Sequence, residues 1–188
     1  MNNITKLVFI DHDGTLMDVP TPDTGRLLWK EKTGKEYPHK GWWGQLDSLN
    51  TNVFDIKPFE QIKNILEREN SNPNSYTVLL TNRIPKFQPI IMNLLNSMGI
   101  YFDEYSFKND NRNKKERILD ILDKFPSLEE INIYDDQNDQ IELLKSLKHE
   151  VDSTIKVEIY HVNNGQFYLV ERYQTIEFLI KKSIKKYL

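Results

Sequence analysis

The stretch Leu7-Val8-Phe9-Ile10-Asp11-His12-Asp13-Gly14-Thr15 constrains this 188-residue chain more than any other. Four consecutive apolar residues run into two carboxylates separated by one position. Such a run reads as a strand buried on both faces, as in a parallel α/β sheet. Open α/β sheets bind ligands beyond the carboxyl ends of their strands, so Asp11 and Asp13 stand where chemistry is done. Gly14 allows a sharp turn, and Thr15 can hydrogen-bond locally. An aspartate at a strand tip can attack phosphorus, and a second carboxylate two positions on can handle protons. The alternative is an acidic turn after a strand, since Asp-Gly is a common turn pair.

Further strands and helices alternate along the chain. The two prolines of Met17–Asp23 predict an extended loop, and Leu27, Leu28 and Trp29 begin a short helix that Gly34 ends. Residues 58–69 read as a helix with Phe59, Ile62, Ile65 and Leu66 in one stripe. Tyr76–Leu80 is a second buried strand that delivers Thr81-Asn82-Arg83 at its tip. Pro85 opens a helix with Ile90, Ile91, Leu94, Leu95 and Met98 inward, closed by Gly99. Tyr101–Phe107 is a third strand, and a helix starting near Lys114 buries Ile118, Leu119, Leu122 and Phe125. Ile131–Tyr134 ends in Asp135-Asp136, and a helix follows over about 138–148. Ile155–Val162 and Phe167–Val170 are strands joined through Gly165. Thr175–Leu188 reads as a last helix, with Lys181, Lys182, Lys185 and Lys186 complementing its dipole. This order predicts a mostly parallel sheet with helices on both faces.

Composition narrows the classes of function. A net charge of −3 disfavours a protein that coats nucleic acid, although a local basic patch is compatible with it. The absence of cysteine excludes disulfides and thiolate chemistry. The apolar run before Asp11 is too short for a signal peptide, and no stretch approaches a membrane span. A soluble, cytoplasmic protein is expected, with neither a membrane nor an obligate protein partner.

Asp11-x-Asp13-Gly14-Thr15 after an apolar strand resembles the first motif of the haloacid dehalogenase-like (HAD) phosphohydrolases. The second motif of that family, a Ser or Thr after an apolar strand, is similar to Leu79-Leu80-Thr81. The fourth, an acidic pair after a strand, resembles Ile133-Tyr134-Asp135-Asp136. The third is a lysine. Lys108, Lys114 and Lys115 all lie in the right segment, and Lys115 is preferred because Lys-Glu-Arg-Ile-Leu begins the helix leading to the acidic strand. Order and spacing fit over roughly residues 5–140. The resemblance implies a HAD-like, Rossmannoid three-layer sandwich over 1–188, with a small cap or loop insertion at about 17–55.

Hydrolysis of a phosphate ester brings a carboxylate towards an anion. A divalent cation held by carboxylates offsets that repulsion, and oxygen ligands without His or Cys favour Mg²⁺. The expected metal set is Asp11, Asp13, Asp135 and Asp136. Asp11 is the expected nucleophile, Asp13 the acid and base, and Thr81 and Lys115 the stabilisers of the phosphoryl group. None of the four histidines is expected to bind metal, and His12 is expected to point away from the acids.

Thr21-Pro22, Leu28-Trp29 and Gly41-Trp42-Trp43 resemble the HAD branch called Swiss Army Knife RNA repair-like. Thr81-Asn82-Arg83, the Lys115–Ile118 helix start and Tyr134-Asp135-Asp136-Gln137 are also similar to the phosphatase domain of polynucleotide kinase-phosphatases, with Gln137 in place of an arginine. The implied activity is removal of a terminal phosphate, at a 3′ end, from RNA or DNA. Asn82, Arg83, Trp42 and Trp43 become the expected substrate contacts, the tryptophans as a stacking surface. Arg83 can equally pair with an acid to brace its turn, and the tryptophans can equally clamp a loop to the body. Two other functions stay open: the same chemistry on a small phosphate ester, and a phosphate-binding module without turnover.

Overall fold

Leu7, Val8, Phe9 and Ile10 are all fully buried in β1 (Lys6–Ile10), and they alternate between two cores. In the computed structural model, which describes residues 3–174, Val8 and Ile10 join one apolar cluster and Leu7 and Phe9 the other. The first cluster takes Ile62, Ile65 and Leu66 from α2 (Glu60–Asn70) and Ile91, Leu94 and Leu95 from α3 (Gln88–Ser97). The second takes Ile118 and Ile121 from α4 (Lys114–Leu122) and Ile141 and Leu144 from α5 (Asn138–Lys145). A strand with no polar face needs cover on both sides, and the result is three layers.

The sheet has six strands in the order β3-β2-β1-β4-β5-β6: β2 (Ser75–Leu80), β3 (Glu104–Ser106), β4 (Glu130–Asp135), β5 (Lys156–Asn163) and β6 (Gln166–Tyr173). All pairings are parallel except β5 with β6. That last hairpin turns through Asn164 and Gly165, both at positive φ (48° and 76°), as a tight two-residue turn requires. Ile10 is level with Leu79 on β2 and with Tyr134 on β4. Asp11, Thr81 and Asp135 therefore emerge along one edge, at the point where the chain winds off in opposite directions.

Between β1 and α2 the chain adds α1 (Pro22–Thr33) and a 3-10 turn at Leu46–Leu49. The start of α1 corrects the sequence-based boundary. Pro22 occupies the first helical turn and Thr21 caps it, so the helix begins five residues before Leu27. The third strand is also shorter than expected, three residues at Glu104–Ser106. The helix expected over 175–188 lies outside the described residues. No helix among the described residues is long and apolar enough to cross a membrane.

Candidate active site

Three carboxylates meet at the tips of β1 and β4. Oxygen atoms of Asp11, Asp135 and Asp136 lie within 4.8 Å of one another. Lys114 joins two of them, its Nζ donating to Asp11 Oδ1 at 2.7 Å and to Asp135 Oδ2 at 2.5 Å. All four groups are largely withdrawn from water. Burial, helped by the neighbouring carboxylates and opposed by Lys114, raises Asp11 to about 7. Burial and Asp135 raise Asp136 to about 6. Burial works against the Lys114 charge, but Asp11 and Asp135 outweigh it and hold the ammonium more firmly protonated than an ordinary lysine.

This placement corrects the choice of lysine. Asn113 caps α4 through a reciprocal pair of bonds with Glu116, which fixes Lys114 as the first helical residue, facing the strand tips. Lys115, one step round the helix, reaches Glu150 instead. The signal for that rotation is the capping pair Asn113-x-x-Glu116.

Asp13 lies apart from the three-carboxylate cluster, contrary to the expected metal set. Arg83 grips both its oxygens, Nε to Oδ2 at 2.8 Å and Nη2 to Oδ1 at 2.9 Å. His12 does not point away: its Nδ1 is 3.2 Å from Asp13 Oδ1. Burial alone would raise Asp13, but His12 and Arg83 outweigh it and hold the carboxyl well below the usual carboxylate range.

Arg83 also donates from Nη1 to the Trp43 carbonyl (2.6 Å) and to Ser48 Oγ (2.8 Å). Its guanidinium carbon sits 5.1 Å from the Trp43 ring and 4.8 Å from that of Phe87. It therefore braces the turn and the 43–48 loop against Asp13 and is not a free substrate contact. The two tryptophans take different places. Trp42 is buried, lies on Gly25 of α1, packs on Tyr37 and Phe54 and donates to the Pro20 carbonyl, so it clamps the loop. A Cβ on Gly25 would sit 2.1 Å from the Trp42 ring, which explains a glycine inside a helix. Trp43 is 39% exposed and lines the cavity.

That cavity has a volume of about 340 Å³ and brings together Asp11, Asp13, Thr81, Asn82, Arg83 and Lys114, with Trp43 and Ile84 among its walls. Thr81 Oγ1 accepts from the Arg83 amide (3.1 Å), which leaves its O–H free to donate into the cavity. Gly14 is required at its position: φ is +75°, and a Cβ would lie 2.4 Å from Asp136 Oδ2. Among groups the sequence did not single out, Ser48 anchors Arg83 and His161 Nε2 meets the Asp136 carbonyl at 2.9 Å.

Residues 24–185 match the family described as HAD domain family 1 in Swiss Army Knife RNA repair proteins. The chain belongs to this HAD family. The match begins after Thr15, so the first motif rests on the geometry above. A Saccharomyces cerevisiae relative, the uncharacterized protein YMR265C, is 30% identical over 176 residues, covering 79% of this chain and 38% of the yeast protein. The chain thus spans well under half the length of that relative. Among solved structures, the HAD domain of the Legionella pneumophila effector protein Lem4 superposes with a TM-score of 0.56 at 18% identity, covering 100% of this chain and 96% of that one. A chain of the Pnkp1/Rnl/Hen1 complex gives 0.52 at 15% identity, covering 89% and 49%. These likenesses extend the shared HAD fold across the described sheet.

Proposed function

We propose that this HAD domain is a Mg²⁺-dependent phosphomonoester hydrolase that works through an aspartyl-phosphate and removes terminal 3′ phosphate from nucleic-acid ends. The observation that carries it is Lys114 bridging Asp11 and Asp135 beside a third, half-buried carboxylate. Three carboxylates face one ammonium, so the cluster suits a divalent cation held through oxygen, by Asp11, Asp135 and Asp136. A Mg²⁺ ion held there would offset the repulsion between the phosphoryl oxygens and the attacking carboxylate.

Asp11 attacks phosphorus, and the ester oxygen departs with a proton from Asp13. Thr81 donates to one phosphoryl oxygen, and the free N–H groups of Asn82 are placed to donate to another. Lys114 keeps Asp11 oriented and adds a fixed positive charge. Water then hydrolyses the phosphoaspartate, with Asp13 taking its proton. In the grip of Arg83, Asp13 is already the carboxylate that this second step needs. The first step needs Asp13 to enter protonated, so the grip must loosen and the carboxylate take up a proton from solvent as substrate enters. Exposed Trp43 and Ile84 at the rim give a flat apolar surface for the base next to the phosphate. Membership of an RNA-repair family supports the nucleic-acid end as substrate.

With Mg²⁺ the protein should hydrolyse an aryl phosphate, and Asp11→Asn should not. Asp13→Asn should accumulate phosphorylated protein, because the dephosphorylating water loses its base. A 3′-phosphorylated oligonucleotide should be preferred to mononucleotides by kcat/KM. Preference for the mononucleotide would replace the nucleic-acid end with a small ester, and phosphate binding without turnover would leave a binding module.

A further inference from the structure

Lys114 and Arg117 are three positions apart and share one face of α4. Lys114 reaches the tips of β1 and β4, whereas Arg117 reaches those of β2 and β3. Its Nη1 donates to the carbonyls of Thr81 (3.0 Å) and Ser106 (2.9 Å), and its Nη2 donates to Asn82 Oδ1 (3.0 Å). The side chain is buried, 4% exposed, and among the described residues no carboxylate lies within ion-pair distance of it. Its Nε has no hydrogen-bond partner. A buried guanidinium whose partners are all neutral oxygens is costly unless an anion arrives nearby.

We infer that Arg117 is a positioning residue for the anionic substrate: it fixes the Thr81 carbonyl and turns the Asn82 amide so that N–H donors, and not its oxygen, are offered to the cavity. This rests on the phosphatase reading above and adds the element that sets its second strand tip. A guanidinium has only donors, so the Asn82 atom facing it must be the oxygen. The two remaining N–H groups belong to an exposed residue that lines the cavity beside Thr81 and Lys114. The charge of Arg117, which Asp11 and Asp110 balance only from beyond ion-pair distance, lies directly behind the Thr81 carbonyl, where it favours the binding of an anion. The substrate oxygens thus meet two donors whose directions are set from α4, the helix that also holds Lys114.

The test measures binding of inorganic phosphate with Mg²⁺ by calorimetry, Mg²⁺ binding alone, and kinetics on an aryl phosphate. Asn82→Asp keeps an oxygen for Arg117 but removes both donors. It should fold as the wild type does and weaken phosphate binding at least about tenfold, with Mg²⁺ affinity kept. Arg117→Met should lower kcat about 100-fold through misplacement of Thr81, again with Mg²⁺ affinity kept, and Arg117→Lys should recover only part. A role confined to bracing β2 and β3 predicts unchanged phosphate binding in Asn82→Ala, which removes the donors without adding the charge of Asn82→Asp, and that result overturns the proposal. If Arg117→Met fails to fold, the exposed Asn82 variants decide alone. A wild type that binds phosphate without turnover defeats the phosphatase reading but leaves the binding comparison intact. A wild type that does neither defeats both.

Discussion

Asp11 and Asp13 are the same residue type, two positions apart on one strand tip, and their surroundings drive them in opposite directions. Asp11 shares its space with Asp135 and Asp136 against a single ammonium, and burial pushes it up to about 7. Asp13 faces a guanidinium across two hydrogen bonds and has His12 beside it, and it is held low. One side of the cavity is short of positive charge, and the other is already balanced. In the proposed mechanism the side short of positive charge takes the cation, and the balanced carboxylate accepts the proton. A pair of acids acquires two roles when neighbouring strands supply unequal counter-charge.

The largest break in this contrast comes from Lys114→Met. It strips the Asp11 side of its one cation, and turnover of an aryl phosphate should fall about 1000-fold or more. Lys115→Met removes an outlying ion pair with Glu150 and should leave kcat within about twofold. Next is Arg83→Met, which leaves Asp13 buried without its partner. Unfolding in urea should show a loss of about 3–5 kcal/mol, and the Asp13 side should come to resemble the Asp11 side.

Stability against pH sharpens the comparison because the two sides have opposite signs. Asp11 and Asp136 have folded pKa values raised from 3.8 to about 7 and about 6. Their contribution is full below 3.8 and is lost as pH rises through those values. Asp13, held low, contributes above 3.8 and loses that contribution as pH falls through its folded value. In metal-free protein, Asp11→Asn should therefore flatten the decline in Tm between pH 4 and 7, and Asp13→Asn should not. Mg²⁺ at about 100 times its Kd should add about 2.7 kcal/mol at pH 7 and distinctly less at pH 5, where protons compete for the same oxygens. The smallest effect belongs to the rim. Trp43→Ala should cost little stability but raise KM for a 3′-phosphorylated oligonucleotide about tenfold, with the aryl phosphate unaffected.

The layers, the parallel sheet and the strand tips were legible in the sequence because buried strands and amphipathic helices write their periods directly into it. Thr81, Asp135 and Asp136 could be located for the same reason, since each follows an apolar run. Lys115 was preferred to Lys114 because a motif fixes a segment and not the rotation of a helix, which the Asn113 cap sets. Trp42 and Trp43 were indistinguishable as neighbours in a chain, and only packing sends one beneath α1 and the other to the cavity.

Hydrophobic alternation and chain order need no partner to be read, so the carboxylates that arrive at the carboxyl edge of the sheet are visible in the chain alone. Which charge each of them meets is a matter of packing between distant segments. That follows from side chains such as Arg83 and Lys114, which act 70 and 103 positions away from the acids they balance. Coulombic contacts at that separation leave no local pattern, so their signs become known only when the strands are set side by side.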